Sequence, residues 1–283
     1  MYKFPIGVMT DSFKTDFKEA VKKAKQMGAE GIQTYCTNGG FSPKKMSTEK
    51  INEVLDIVKS NGLVFSAICG DLGRGFTDKE KNAGNIEKSK KIMELAKRLE
   101  CDIVTTHIGV VPADRSIERY KIMQEACFAL AEFADGMGSH FAVETGPETS
   151  ETLKTFLDSL NSKGVAVNLD PANLVMVTGD DPVRAVYNLK DYIVHTHAKD
   201  GIKLKECNPE FIYKVVHPIP MEYSEGGFFR EVPLGTGKVD FKAYLKALSD
   251  IGYKGFLTVE RECGENPETD IKIAVDYLKK LID

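Results

Sequence analysis

The sequence predicts an α/β fold: a (β/α)8 barrel forming a single domain over residues 1–283, with an inserted loop after the seventh strand. Short β-branched, apolar runs alternate with longer stretches of helical period, and strict strand–helix alternation implies a parallel sheet. Eight such pairs can be read along the chain, the number that closes a barrel. A length of 283 residues also suits one barrel, which typically takes about 250. A doubly wound open sheet would alternate too, but no G-x-G-x-x-G follows the first strand.

Ile6 to Met9 forms the first strand, and Thr10, Asp11 and Ser12 supply turn chemistry after it. Asp16 opens a helix over Phe17 to Met27, and Gly28 stops it. Gly31 to Tyr35 is the second strand. Ser47 caps the next helix, whose Ile51, Val54, Leu55 and Val58 fall at helical spacing before Asn61 and Gly62 end it. Leu63 to Ile68 is the third strand, with a glycine-rich exit through Gly70, Gly73 and Gly75. A charged helix beginning between Lys79 and Asn85 runs to Leu99, and Asp102 to Thr106 is strand four, tipped by His107. Ser116 is the expected cap of a helix reaching about Gly136.

The second half repeats the unit more sharply. The strands are Phe141 to Glu144, Val165 to Asp170, Tyr192 to His197 and Phe256 to Glu260, separated by helices over Ser150 to Leu160, Asp181 to Leu189 and Phe241 to Ile251. A last helix runs from about Pro267 to Leu281. Residues 201–236 break the rhythm with Pro209, Pro218, Pro220, Gly226, Gly227 and Pro233. A loop this long inside a compact domain is usually functional. It is a candidate lid or subunit contact, the latter making the chain a homo-oligomer.

Each of those four strands ends on an ionisable group: Glu144, Asp170, His197 and Glu260. Side chains alternate faces along a strand, so Asn168 and Asp170 share the face opposite Val165, Val167 and Leu169, and Thr258 and Glu260 oppose Leu257 and Val259. Neighbouring barrel strands with polar ends converging at one mouth would show this pattern. One such residue is as readily a helix cap; four in matching positions are not. Three carboxylates and an imidazole make a hard ligand set, suited to a divalent metal ion such as Mn²⁺, Mg²⁺, Co²⁺ or Zn²⁺.

The totals exclude other classes. A net charge of −4 gives no electrostatic reason to bind nucleic acid or an anionic membrane. No run approaches the ~18 apolar residues of a membrane helix, and the start lacks a signal-peptide core. The six scattered cysteines read as reduced thiols, which places the chain in the cytoplasm.

Five segments together resemble a known family: Val143-Glu144-Thr145-Gly146, Asn168-Leu169-Asp170-Pro171-Ala172-Asn173, His195-Thr196-His197-Ala198-Lys199-Asp200, Pro233-Leu234-Gly235-Thr236-Gly237-Lys238-Val239-Asp240 and Thr258-Val259-Glu260-Arg261-Glu262. They are similar to the xylose isomerase-like TIM-barrel superfamily, in particular its sugar phosphate isomerase/epimerase branch, over nearly the whole chain. The resemblance implies a divalent metal on Glu144, Asp170, His197 and Glu260, a small sugar or sugar phosphate as substrate, and Glu144 and Glu260 as the proton-moving pair. Where ketose 3-epimerases of that superfamily carry a histidine, this chain has Asn173, and Glu148 is the nearest match to their further glutamate.

The chemistry agrees. An isomerase or epimerase removes a proton beside a carbonyl; a Lewis-acid metal stabilises the enediolate and a carboxylate within about 3 Å acts as base. His107, Lys199 and Arg230 are candidates for fixing substrate oxygens, with Asn173 and Glu148 behind them; His195, one step deeper, reads as structural. Gly235 and Gly237 look at first like a phosphate loop, but a lone G-x-G is weak evidence and a tight turn explains them better. Rival readings are a keto-inositol dehydratase on the same site, a phosphodiesterase resembling endonuclease IV, and a barrel that binds sugar without turning it over.

Overall fold

A computed structural model describes residues 2–73 and 75–282. Eight parallel strands close into a barrel: β1 (Ile6–Met9), β2 (Gly31–Tyr35), β3 (Val64–Cys69), β4 (Ile103–Thr106), β5 (His140–Glu144), β6 (Val165–Leu169), β7 (Ile193–Ala198) and β10 (Leu257–Val259). Two further strands, β8 (Asp200–Lys203) and β9 (Phe229–Val232), stand outside it. Around the barrel the order is β1, β10, β7, β6, β5, β4, β3, β2. The helices are α1 (Phe17–Met27), α2 (Thr48–Ser60), α3 (Lys79–Arg98), α4 (Glu118–Met137), α5 (Ser150–Asp158), α6 (Pro171–Asn173), α7 (Pro182–Asn188), the short α8 (Pro209–Ile212) and α9 (Met221–Glu225), α10 (Phe241–Asp250) and α11 (Pro267–Ile282). The apolar core lies between strands and helices: Val8, Ile32, Val143, Val167, Leu169 and Val259 are buried together with Val21, Val54, Leu130, Phe156 and Leu245. Among the described residues no helix is long and apolar enough to cross a membrane, and all six cysteines are free thiols.

Local chemistry starts most helices where expected. Asp16, Ser47 and Asp181 each accept a backbone N–H of the first turn of α1, α2 and α7, and Gly28 leaves α1 in the left-handed conformation. Ser116 does not cap α4. It lies inside a turn in which its N–H donates to Asp114 Oδ1, and the helix begins two residues later behind Ile117, without a side-chain cap. A short turn of helix, α6, continued by a wide π turn over Leu174–Thr178, follows Asp170 directly. Three residues carry too little period to be read from sequence.

The 201–236 segment is more ordered than its composition suggests. It is built on an antiparallel ribbon, β8 paired with β9, around the short helices α8 and α9. Asp200 anchors its base. This buried carboxylate accepts Gly201 N and Val239 N on Oδ1 at 2.9 and 3.1 Å, and Gly235 N and Gly237 N on Oδ2 at 3.0 and 2.8 Å. A Cβ on Gly237 would sit 2.1 Å from Asp200 Oδ1. The glycines therefore serve a carboxylate of the chain itself: their amides are turned inward, and a phosphate loop is not what they form. Asp200→Ala strands four amide donors and should cost about 3 kcal/mol or more of unfolding free energy. Urea denaturation measures it; a change under about 0.5 kcal/mol would show that the loop holds itself.

Candidate metal centre

The four ionisable strand tips meet. Glu144 closes β5, Asp170 follows β6, His197 lies near the end of β7 and Glu260 follows β10. One donor atom from each lies within 4.8 Å of the others, and all four side chains are buried. His197 Nδ1 is 3.7 Å from Glu144 Oε1, 3.5 Å from Asp170 Oδ2 and 3.3 Å from Glu260 Oε2. Asp170 shows why a cation fits. Its Oδ1 accepts Asn173 N at 2.9 Å, while its fully buried Oδ2 faces the cluster with no hydrogen-bond partner. A buried carboxyl oxygen with neither water nor a donor beside it is costly. Three carboxylates and one imidazole nitrogen are the donors a hard or borderline divalent ion takes.

Neighbours hold each carboxylate. Asn173 Nδ2 donates to Glu144 Oε1 at 2.9 Å, which puts Asn173 behind the cluster. Gly146 permits this: it adopts φ +131°, and a Cβ there would lie 2.4 Å from Asn173 Cβ. Lys199 Nζ donates to Glu260 Oε2 at 2.9 Å and also reaches Glu262. Burial alone would push the Glu260 carboxyl up, but His197 and Lys199 outweigh it and hold it well below the usual carboxylate range. Burial likewise opposes charge on His197, and Glu260, Glu144 and Asp170 override it, so that imidazole is held well above its ordinary range while no cation is bound.

The two histidines of the H-x-H stretch divide the work. His195 is fully buried, which pushes it well below the ordinary histidine range and leaves it neutral. Its Nδ1–H donates to Asn168 Oδ1 at 2.8 Å, and Thr258 Oγ1 lies 2.8 Å from its Nε2. Asn168 Nδ2 in turn points to Glu144 Oε2 at 3.4 Å.

Above the cluster is a chamber of about 400 Å³, within the range of small-molecule sites. His107, Asn173, Lys199 and Arg230 line it; Arg230 sits on β9 and is exposed. His107 Nδ1 is 3.5 Å from Asp71 Oδ2, and its Nε2 is 3.8 Å from Glu144 Oε1. The chamber shares Asp71, His107 and Tyr213 with an outer cleft of about 870 Å³. Sequence reasoning passed over Tyr213, which comes from the insertion, as well as Asp71, Gln33 and Asn168. For the last two the available signal was a polar side chain inside a buried strand.

Glu148 stands apart from the chamber lining. It is buried behind strand four's exit, where Oε2 accepts Val111 N at 3.0 Å and Oε1 has no partner. Burial pushes its carboxyl up to about 8. The unfolded chain releases this proton near the ordinary glutamate value of 4.5 and the folded chain only near 8, so the group's contribution is intact below about 4.5 and is lost progressively as pH rises to 8. Glu148→Gln should therefore stabilise the protein at pH 8 by a few kcal/mol, each tenfold change in proton affinity being worth about 1.4 kcal/mol, and leave it unchanged at about pH 4. Thermal melts at the two pH values test this; equal effects at both would place an ionised Glu148 in the fold.

The chain is similar to proteins of known name. It is 29% identical over 126 residues to the inosose dehydratase of Lacticaseibacillus casei, a stretch covering 44% of this chain and 39% of that relative. The match thus spans about two fifths of the relative's length. In structure it resembles the xylose isomerase domain protein from Planctomyces limnophilus, with a TM-score of 0.80 at 25% identity over 99% of this chain and 97% of that one. It also resembles the D-psicose 3-epimerase of Clostridium cellulolyticum H10 solved with D-tagatose, with a TM-score of 0.72 at 16% identity over 99% of each chain. The family model described as xylose isomerase-like TIM barrel matches residues 21–281. With a closed eight-stranded barrel and this match over most of its length, the chain belongs to the xylose isomerase-like TIM-barrel family.

Proposed function

We propose that the protein is a divalent-metal-dependent enzyme that moves protons beside the carbonyl of a sugar, an epimerase or aldose–ketose isomerase. The observation carrying this reading is that Glu144 and Glu260 flank one buried donor cluster from strands separated by two others, β6 and β7. A bound cation would supply Lewis-acid polarisation of a substrate carbonyl. The chain's residues do the rest. Glu144 or Glu260 takes the proton from the adjacent carbon, and the other returns one from its own side, inverting the centre if both act. Lys199 keeps Glu260 ionised and fixed in place. Asn173 and Asn168 orient Glu144. Tyr213 and the β8–β9 ribbon form part of the chamber wall.

The chamber is lined by Asp71, Glu144, Glu231, Glu260 and Glu262 and by His107, His197, Lys199 and Arg230, a polar lining suited to a small polyhydroxylated substrate. Dehydration of a keto-inositol is the second reading, supported by the similarity to an inosose dehydratase and by His107, an imidazole facing the chamber that can hand a proton to a departing hydroxyl. Metal-loaded protein incubated in D₂O with ketoses, their phosphates and keto-inositols tests the proposal. Deuterium should appear at the carbon beside the carbonyl; loss of water from the product would assign the dehydratase. Substrate binding without exchange anywhere in the panel would contradict both.

A further inference from the structure

We infer that Gln33, on β2, is a positioning residue that sets the tautomer of His197 and so makes its Nδ1 available to a cation. The inference rests on the metal reading above.

The observations lie in the barrel interior, beneath the cluster. Gln33 is completely buried and reaches across the barrel. Its Nε2 donates to Thr105 Oγ1 at 2.7 Å, and its Oε1 lies 3.0 Å from His197 Nε2. A carbonyl oxygen can only accept, so in this arrangement His197 Nε2 carries a proton, and when a cation displaces the proton on Nδ1 it is Nδ1 that presents the lone pair. Nδ1 is the nitrogen facing Glu144, Asp170 and Glu260. An imidazole that binds a metal through one nitrogen is held by a hydrogen bond from the other. The backbone is shaped for the reach: the β2–β3 register slips between Ile32 and Gln33, the kind of irregularity that re-aims a side chain. Hydrophobic packing does not account for a glutamine here. Ile32 beside it points to the helices and fills that role, whereas Gln33 satisfies both ends of its amide on polar partners from β4 and β7.

The position also explains why an amide is suited. A leucine would fill the space but accept nothing, leaving His197 free to protonate Nδ1 toward the three carboxylates. A glutamate would keep the acceptor.

The test uses the full chain and zinc as a diamagnetic probe. Calorimetric titration of metal-free protein gives the zinc Kd, and a long-range ¹H–¹⁵N spectrum reads the tautomers of the chain's five histidines. Gln33→Leu should raise the zinc Kd roughly 10–100-fold, with loss of the signal for a histidine protonated on Nε2 and metallated on Nδ1. Gln33→Glu should bind as tightly as wild type or tighter. Thr105→Val, which only unanchors the amide, should weaken zinc by roughly tenfold or less and keeps the question open to measurement if Gln33→Leu fails to fold. A Kd for Gln33→Leu within a factor of about two of wild type would overturn the inference, as would equal weakening by Gln33→Leu and Gln33→Glu, which marks a packing role. Wild type that binds no zinc would overturn it together with the metal reading; tight wild-type binding with unchanged variants would overturn it alone.

Discussion

Glutamine in place of Glu144 or of Glu260 is expected to lower turnover of substrate to product by roughly 10²–10⁴-fold, the range that a positioned acid or base contributes. The substitution is close to isosteric, so Asn173 can still donate to the one amide oxygen of residue 144 while Asn168 loses its acceptor there, and Lys199 still has Glu262 when residue 260 is neutral. What is lost is the proton-accepting charge and, with it, one anionic donor to the cation. The two variants also separate isomerase from epimerase. In a one-sided isomerase, one variant abolishes exchange and the other mainly weakens the metal. In a two-sided epimerase, each variant blocks inversion, while the remaining glutamate still exchanges the proton on its own face. Wild-type exchange in both variants would remove the carboxylates from the chemistry.

Asp170→Asn is expected to remove metal-dependent stabilisation. A ligand present at about 100 times its Kd stabilises the folded state by about 2.7 kcal/mol, so Mn²⁺ at that excess should raise the melting temperature of the wild type measurably. The asparagine variant should show no such rise. It retains an oxygen for the Asn173 N–H cap, but it no longer presents a charged oxygen in the position of the unpartnered Oδ2. Binding should also weaken as pH falls. Glu260, Glu144 and Asp170 hold His197 in its charged form while the site is empty, so a cation must displace that proton, and lower pH favours the proton. Proton release on Mn²⁺ addition, followed in weakly buffered solution, checks the sign; uptake would contradict it. An equal Mn²⁺-induced rise in melting temperature for Asp170→Asn would place the ion elsewhere.

The barrel was legible because its information is local. Strand period, Asp and Ser caps and glycine stops lie within a few residues of what they control, and the four strand tips differ chemically from the apolar runs that carry them. The ribbon was not, because β8 and β9 are separated by 25 residues and are held together by Asp200, whose partners at Gly235, Gly237 and Val239 become visible only in three dimensions. Ser116 misled because it belongs to the turn opened by Asp114, one residue short of the Ile117 that precedes the helix. Glu148 lies near Glu144 in sequence, but the chain turns it away behind Val111. Strand period puts Asn168 on the face of Asp170 but gives it no role, and Gln33 stayed hidden for another reason. A lone polar residue in a strand reads as its solvent face, whereas here the face opposite the helices is the barrel interior, where Gln33, Asn168, His195 and Thr258 satisfy one another or the site above.

That these four residues bind one cation is tested most directly by anomalous diffraction from crystals grown with Mn²⁺. A single strong peak is expected among Glu144 Oε1, Asp170 Oδ2, His197 Nδ1 and Glu260 Oε2, at roughly 2.0–2.2 Å from the ligand atoms it touches. No peak at that position in crystals soaked to saturation, or one held by other side chains, would contradict it.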